Sequence, residues 1–143
     1  MMPCYPYIRA AHFDLFHSGH VEFLRRCAEF GPVTVVINSD KFIEEYKGKP
    51  PVISEHDRLA VVLACKYVDD AFINDGGADS RNAIEYVNPD IIVIGSDWAR
   101  KDYYKQMGFD QDWLDNREIS LCYVPYSPWI SSTQIKKRLL GVK

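Results

Sequence analysis

The sequence predicts an α/β fold, a doubly wound parallel sheet of five strands flanked by helices within a single domain. Three observations carry that prediction. Apolar runs rich in β-branched residues alternate with stretches of helical periodicity along the whole chain. Residues 33–37 (Val-Thr-Val-Val-Ile) and 91–94 (Ile-Ile-Val-Ile) are almost uninterrupted β-branched runs, as strands buried on both faces are. The length, 143 residues, is enough for one sizeable core and not for two, so residues 1–143 are expected to form one domain.

Each element follows in order. Residues 5–11 form a weak first strand, interrupted by Pro6 and Arg9, whose early part is expected at an edge or as an irregular lead-in. A helix starts near Ser18, presents Val21, Phe23, Leu24, Cys27 and Ala28 on its apolar side, and stops at Phe30-Gly31-Pro32. Residues 33–37 are a buried strand, and Asn38-Ser39-Asp40 caps a short helix reaching about Tyr46. Lys47-Gly48-Lys49-Pro50-Pro51 reads as a basic loop. Ser54-Glu55-His56-Asp57 reads as a capping box opening a helix through about Lys66. A short strand at residues 70–73 and a helix at 80–87 follow, and Asn88-Pro89-Asp90 turns the chain into a central strand at 91–94. Residues 99–118 are a long aromatic and charged connection, of a length that is usually functional or disordered. The last strand covers residues 119–124, and Ser131-Ser132-Thr133-Gln134 opens the closing helix.

Composition excludes several classes. At 47% hydrophobic and 26% charged, the chain is of ordinary globular type. No apolar run approaches the roughly 20 residues that span a bilayer, and the N-terminus lacks a signal-peptide pattern, so a cytoplasmic location is expected. A net charge of −3 offers no general attraction to nucleic acid. Cys4, Cys27, Cys65 and Cys122 are widely spread in apolar contexts and are expected as reduced thiols.

The residues suited to chemistry all follow strands, so the fold brings them to the carboxyl edge of the sheet, where open sheets bind ligands. The stretch His12-Phe13-Asp14-Leu15-Phe16-His17-Ser18-Gly19-His20 is the most informative. With a helix from Ser18, His17 and His20 share one face of its first turn. Gly19 lets a ligand phosphate approach the backbone, and a helix N-terminus favours anions. A metal site would need further ligands at suitable spacing, and no His-rich or Cys-rich segment follows.

Five elements in order resemble the superfamily of HIGH-type nucleotidyltransferases, and more finely its cytidylyltransferase family in the glycerol-3-phosphate branch. They are Phe13 to His20; Lys47 and Lys49; Arg58 with Tyr67-Val68-Asp69; Gly95-Ser96-Asp97-Trp98; and Ile130-Ser131-Ser132-Thr133. The resemblance covers nearly the whole chain from Arg9. It implies a Rossmann-like sheet and transfer of CMP from CTP to a small phosphorylated alcohol with release of pyrophosphate. Mg²⁺ would accompany the triphosphate, and the protein would be a homodimer without nucleic-acid or membrane partners. By this resemblance His17, His20, Lys49 and Arg58 are catalytic. Ala11, His12, Phe13, Asp14, Gly19, Gly95, Asp97, Trp98, Ile130, Ser131, Ser132 and Thr133 bind the nucleotide. Lys47, Arg100 and Lys101 face the acceptor, and Asp14 is a candidate for orienting a histidine or for the metal.

Each role has a plainer counterpart. The lysines could be a solvated loop. Arg58 could form a surface salt bridge to a carboxylate such as Asp57. Ser131 could simply cap its helix with Gln134, Asp14 could form a turn, and Trp98 could plug the core. The sequence also departs from the family pattern. Ala11 stands for a glycine, His12 for a small residue, Ser96 for an aspartate, and Tyr126 for a phosphate-binding arginine whose charge Arg100 or Lys101 would replace. Two alternatives follow from these features. Asn38-Ser39-Asp40, the Lys47 to Val52 pattern and Pro89-Asp90 resemble ATP-using adenylyltransferases of the heptose-phosphate type. Ala11 and the absent arginine suit a nucleotide-binding protein without turnover.

Overall fold

The computed structural model describes residues 6–11, 13–74, 80–95, 109–125 and 127–141. Five strands form one sheet: β1 (Pro6–Ala11), β2 (Thr34–Asn38), β3 (Asp70–Asn74), β4 (Ile91–Gly95) and β5 (Ser120–Val124), in the order β3-β2-β1-β4-β5. Every pair is parallel. The chain winds outward from β1 through β2 to β3, then crosses to the other side for β4 and β5. The order therefore reverses between β1 and β4, a Rossmann-like arrangement that opens a crevice at the carboxyl ends of those two strands.

Alternation along the strands shows that both faces are covered. Val35, Ile37 and Val93 join Phe23, Leu24, Cys27 and Val62 in one apolar cluster. Val36, Ile92 and Ile94 join Ala83, Ile84 and Leu114 in the other. Helices α1 (Ser18–Ala28) and α3 (Glu55–Leu63) supply the first face, while α4 (Arg81–Val87) and α5 (Gln111–Asn116) supply the second. Helices α2 (Asp40–Lys47) and α6 (Ser132–Leu139) complete the set among the described residues. None of these helices is long and apolar enough to cross a membrane.

Several sequence expectations are corrected. β1 is the central strand, paired with both β2 and β4, rather than an edge. Pro6 is its first residue, where a missing N–H is tolerated. The irregularity expected of this strand falls later, as a register shift between Ile8 and Ala11 in its pairing with β2. β4, in contrast, is interior as expected, between β1 and β5. Lys47 is the last residue of α2 and not part of the loop; Gly48 ends that helix at φ 79°, donating its N–H to Glu44 O at 2.8 Å. α3 stops at Leu63, short of Lys66. Asp69 draws the chain back toward the sheet there, its carboxylate accepting from the Val33 N–H at 2.7 Å while its own N–H donates to Val33 O at 2.9 Å. The long connection of residues 99–118 contains α5, capped by Asp110 and packed through Leu114.

Candidate functional site

The site is built from the turn after β1. His17 is the N-cap of α1, and its Nδ1 accepts the Gly19 N–H at 3.0 Å. His20 reaches back from the third helical position, where its Nδ1 accepts the His17 N–H at 3.2 Å. This is a capping box made of two histidines in place of the usual hydroxyl and carboxylate. With both Nδ1 atoms used as acceptors, each neutral ring carries its proton on Nε2. The rings stack at 3.8 Å between centroids, and His20 is further walled by Phe16 at 5.3 Å and the edge of Phe13 at 5.1 Å.

That packing decides the charge. Burial lowers the pKa of His17. In His20, burial first and the proximity of His17 second bring it to about 3, against a smaller opposing pull from Asp14. At neutral pH the unliganded turn therefore offers two uncharged N–H donors. The amides expected to be open at this helix start are partly used internally: Gly19 bonds the His17 ring, and His20 and Val21 donate to His17 O. Gly19 is also required for a reason beyond ligand approach. A Cβ there would lie 2.9 Å from His17 Cε1, 3.0 Å from its Nδ1 and 3.2 Å from Ile130 Cγ2.

Ile130 thus packs against the histidine turn, bringing the start of α6 to the same place. Ser131 caps α6 by accepting the Gln134 N–H at 3.1 Å. Ser132 Oγ donates to Asp14 O at 2.7 Å, which fastens the two segments together. Thr133 is exposed in the first turn. Phe13 and Leu15 flank Asp14 at φ 49° and 51°, left-handed conformations that favour glycine or asparagine.

Asp14 has a different role from the one expected. It is only 5% exposed; Oδ2 accepts the Val52 N–H and Oδ1 the Ile53 N–H, each at 2.9 Å, and Lys136 Nζ lies 3.4 Å from Oδ2. Burial opposes its ionisation, but those two amides and Lys136 together hold the carboxyl below its usual range. The histidines are oriented by backbone amides, so Asp14 is not their orienting partner. Nor does it fit as a magnesium ligand, because both oxygens are already engaged and a lysine sits beside them. No group of three or more His, Cys, Asp or Glu is placed to hold a metal among the described residues.

Arg58 is likewise relocated. Its side chain is 0% exposed; it donates from Nε to Ile53 O at 2.9 Å and from a terminal nitrogen to Asp40 Oδ1 at 2.7 Å. It is not a surface partner of Asp57 but a buried strut between α3, α2 and the end of the basic loop. Lys47 and Lys49 are exposed at the two sides of Gly48. Ala11 and Gly95 end β1 and β4, on either side of the crevice. His12, Ser96, Asp97, Trp98, Arg100, Lys101 and Tyr126 lie outside the described residues.

Sequence reasoning missed Lys136, the aromatic wall of Phe16, and Val52 and Ile53. Lys136 carried a signal, since it stands one helical turn beyond Ser132 and so on the same face of α6. The other three act through packing or backbone amides, which leave no residue signature.

Known proteins share this architecture. Along 89% of this chain and 99% of the other, the fold matches the crystal structure of a lipopolysaccharide core biosynthesis protein from Thermoplasma volcanium, with a TM-score of 0.65 and 26% identity. The FAD synthase of Pyrococcus horikoshii is 38% identical over 86 residues, 59% of this chain and 58% of that protein. An ethanolamine-phosphate cytidylyltransferase of Dictyostelium discoideum is 33% identical over 131 residues, 90% of this chain but 36% of that protein. The matches to these curated relatives thus span less than two thirds of their length. The family model described as cytidylyltransferase-like matches residues 10–138, from the end of β1 through almost all of α6. The chain belongs to the cytidylyltransferase-like family.

Proposed function

We propose that the chain is a nucleotidyltransferase that moves CMP from CTP to a small phosphorylated alcohol, glycerol 3-phosphate-like, and releases pyrophosphate. The observation that carries this reading is the histidine pair. Two neutral Nε2–H donors are held by backbone bonds at the N-terminus of α1, where the strand order reverses. An oxygen of the acceptor phosphate attacks the α-phosphorus in line. The bond to the bridging oxygen breaks, and pyrophosphate leaves with the electron pair. The protein forms no covalent bond; it orients the phosphates and stabilises the charge on the transition state. His17 and His20 donate to phosphate oxygens and Lys49 and Lys47 supply cations, while Mg²⁺ would accompany the triphosphate and neutralise part of its charge.

The choice of CTP is supported by the ethanolamine-phosphate cytidylyltransferase, whose likeness covers 90% of this chain. The FAD synthases, at 38% identity over a shorter stretch, favour a second reading in which AMP is transferred from ATP to a phosphorylated acceptor. Incubating the protein with Mg²⁺, each of the four nucleoside triphosphates and a panel of phosphorylated alcohols, sugars and flavin mononucleotide, with pyrophosphate release as readout, separates the readings. Release with CTP and a phosphorylated alcohol is expected. Release with ATP alone favours the second reading. Nucleotide binding without release from any pair would leave a binding protein.

A further inference from the structure

The Ile53 peptide is held from both sides. Asp14 accepts its N–H, and that of Val52 before it, while Arg58 Nε donates to its carbonyl at 2.9 Å. The same Arg58 bonds Asp40, the first residue of α2, and the Asp40 N–H donates to Glu55 Oε1 at 3.2 Å. The stretch from Asp40 to Ile53 is therefore closed on itself. It comprises α2, the Gly48 stop and a loop containing Pro50 and Pro51, and both of its ends meet at Arg58. Asp14 is three residues before His17, and Val52 is three residues after Lys49, a span of at most about 11 Å. One carboxylate thus links the segment bearing the histidines to the segment bearing Lys49.

From this arrangement we propose that Asp14 and Arg58 are positioning residues, which clamp the Val52–Ile53 backbone and so fix where the loop carries Lys49 relative to the histidine pair. The role of Lys49 rests on the transferase reading; the clamp does not. Lys136, paired with Asp14, ties the same carboxylate to α6. All three chemistry-bearing segments then share one buried anion.

Amide hydrogen exchange of the full chain, resolved by residue, tests the clamp directly. The Val52 and Ile53 amides are expected to exchange at least about 100-fold more slowly than that of Lys49, although Val52 is 64% exposed. Rates within about tenfold of Lys49 would overturn the clamp. Kinetics test the positioning. Asp14→Asn is expected to lower kcat/KM, chiefly by raising the apparent KM, about tenfold when Lys49 is present and less than about threefold in a Lys49→Ala background. A carboxylate with only a structural role would lower both alike, and that result contradicts the proposal. Arg58→Lys keeps a cation for Asp40 and gives up the Nε bond; it is expected to show the same dependence on Lys49 should Asp14→Asn not fold. If no substrate pair turns over, the transferase reading fails while the exchange rates still decide the clamp.

Discussion

In the proposed reaction His17 serves two purposes with one ring: Nδ1 closes the first turn of α1, and Nε2–H donates to a phosphate. Replacing it separates the two effects. His17→Ala should lower turnover by about 10²–10³-fold, the usual cost of one transition-state donor. It should cost only about 1 kcal/mol of stability, the worth of an N-cap; a folded variant with near-normal pyrophosphate release would remove His17 from the reaction. Gly19→Ala should cost about 1–3 kcal/mol in a denaturant melt and lower activity, because the new methyl collides with the His17 ring and Ile130. The pair also sets a pH dependence. Unfolded imidazoles take up protons below about 6.5, whereas folded His20 resists until about 3. Acid therefore favours the unfolded chain in that window, and stability should fall by about 2 kcal/mol from pH 7 to pH 5. His20→Gln should flatten that slope; an unchanged slope would refute the assignment. The sequence displayed these histidines because their spacing matches a helical turn. It did not display the left-handed backbone at Phe13 and Leu15, which no glycine or asparagine marks.

At the scale of elements, the contrast lies between Lys49 and Arg58. Lys49 is exposed on a loop, so Lys49→Ala should leave the melting temperature unchanged and raise the apparent KM; no kinetic change would return the loop to a solvated role. Arg58 is buried with a carboxylate and a carbonyl as partners. Arg58→Ala should cost about 2–4 kcal/mol, because it empties a fully buried position and leaves the Ile53 carbonyl without its donor. Thermal melts of the two variants check the distinction. Helix starts at Ser39, Ser54 and Ser131 were legible because a cap is local chemistry, a hydroxyl one turn before an amide. The partner of Arg58 was not legible, since Asp40 lies 18 residues away and only the tertiary fold brings it near. α5 was missed because a six-residue helix shows too little periodicity to stand out from an aromatic and charged segment.

Over the whole molecule, the parallel sheet and the interior place of β4 could be read from buried hydrophobic runs, but the place of β1 could not. β1 reads as weak, yet it occupies the centre, because long-range pairing with β2 and β4 overrides its local preference. That placement puts the histidine turn at the switch point, with α6 and the clamped loop converging on it through Ile130, Ser132 and Asp14. The central claim is that this convergence holds His17 and His20 as neutral donors for a triphosphate. ¹⁵N spectra of the imidazoles at pH 7, followed during titration with CTP, test it most directly. The account predicts two neutral rings protonated on Nε2, with both Nε2 signals moving as CTP binds. Imidazolium rings in the free protein, protons on Nδ1, or signals that stay fixed at saturating CTP would contradict it.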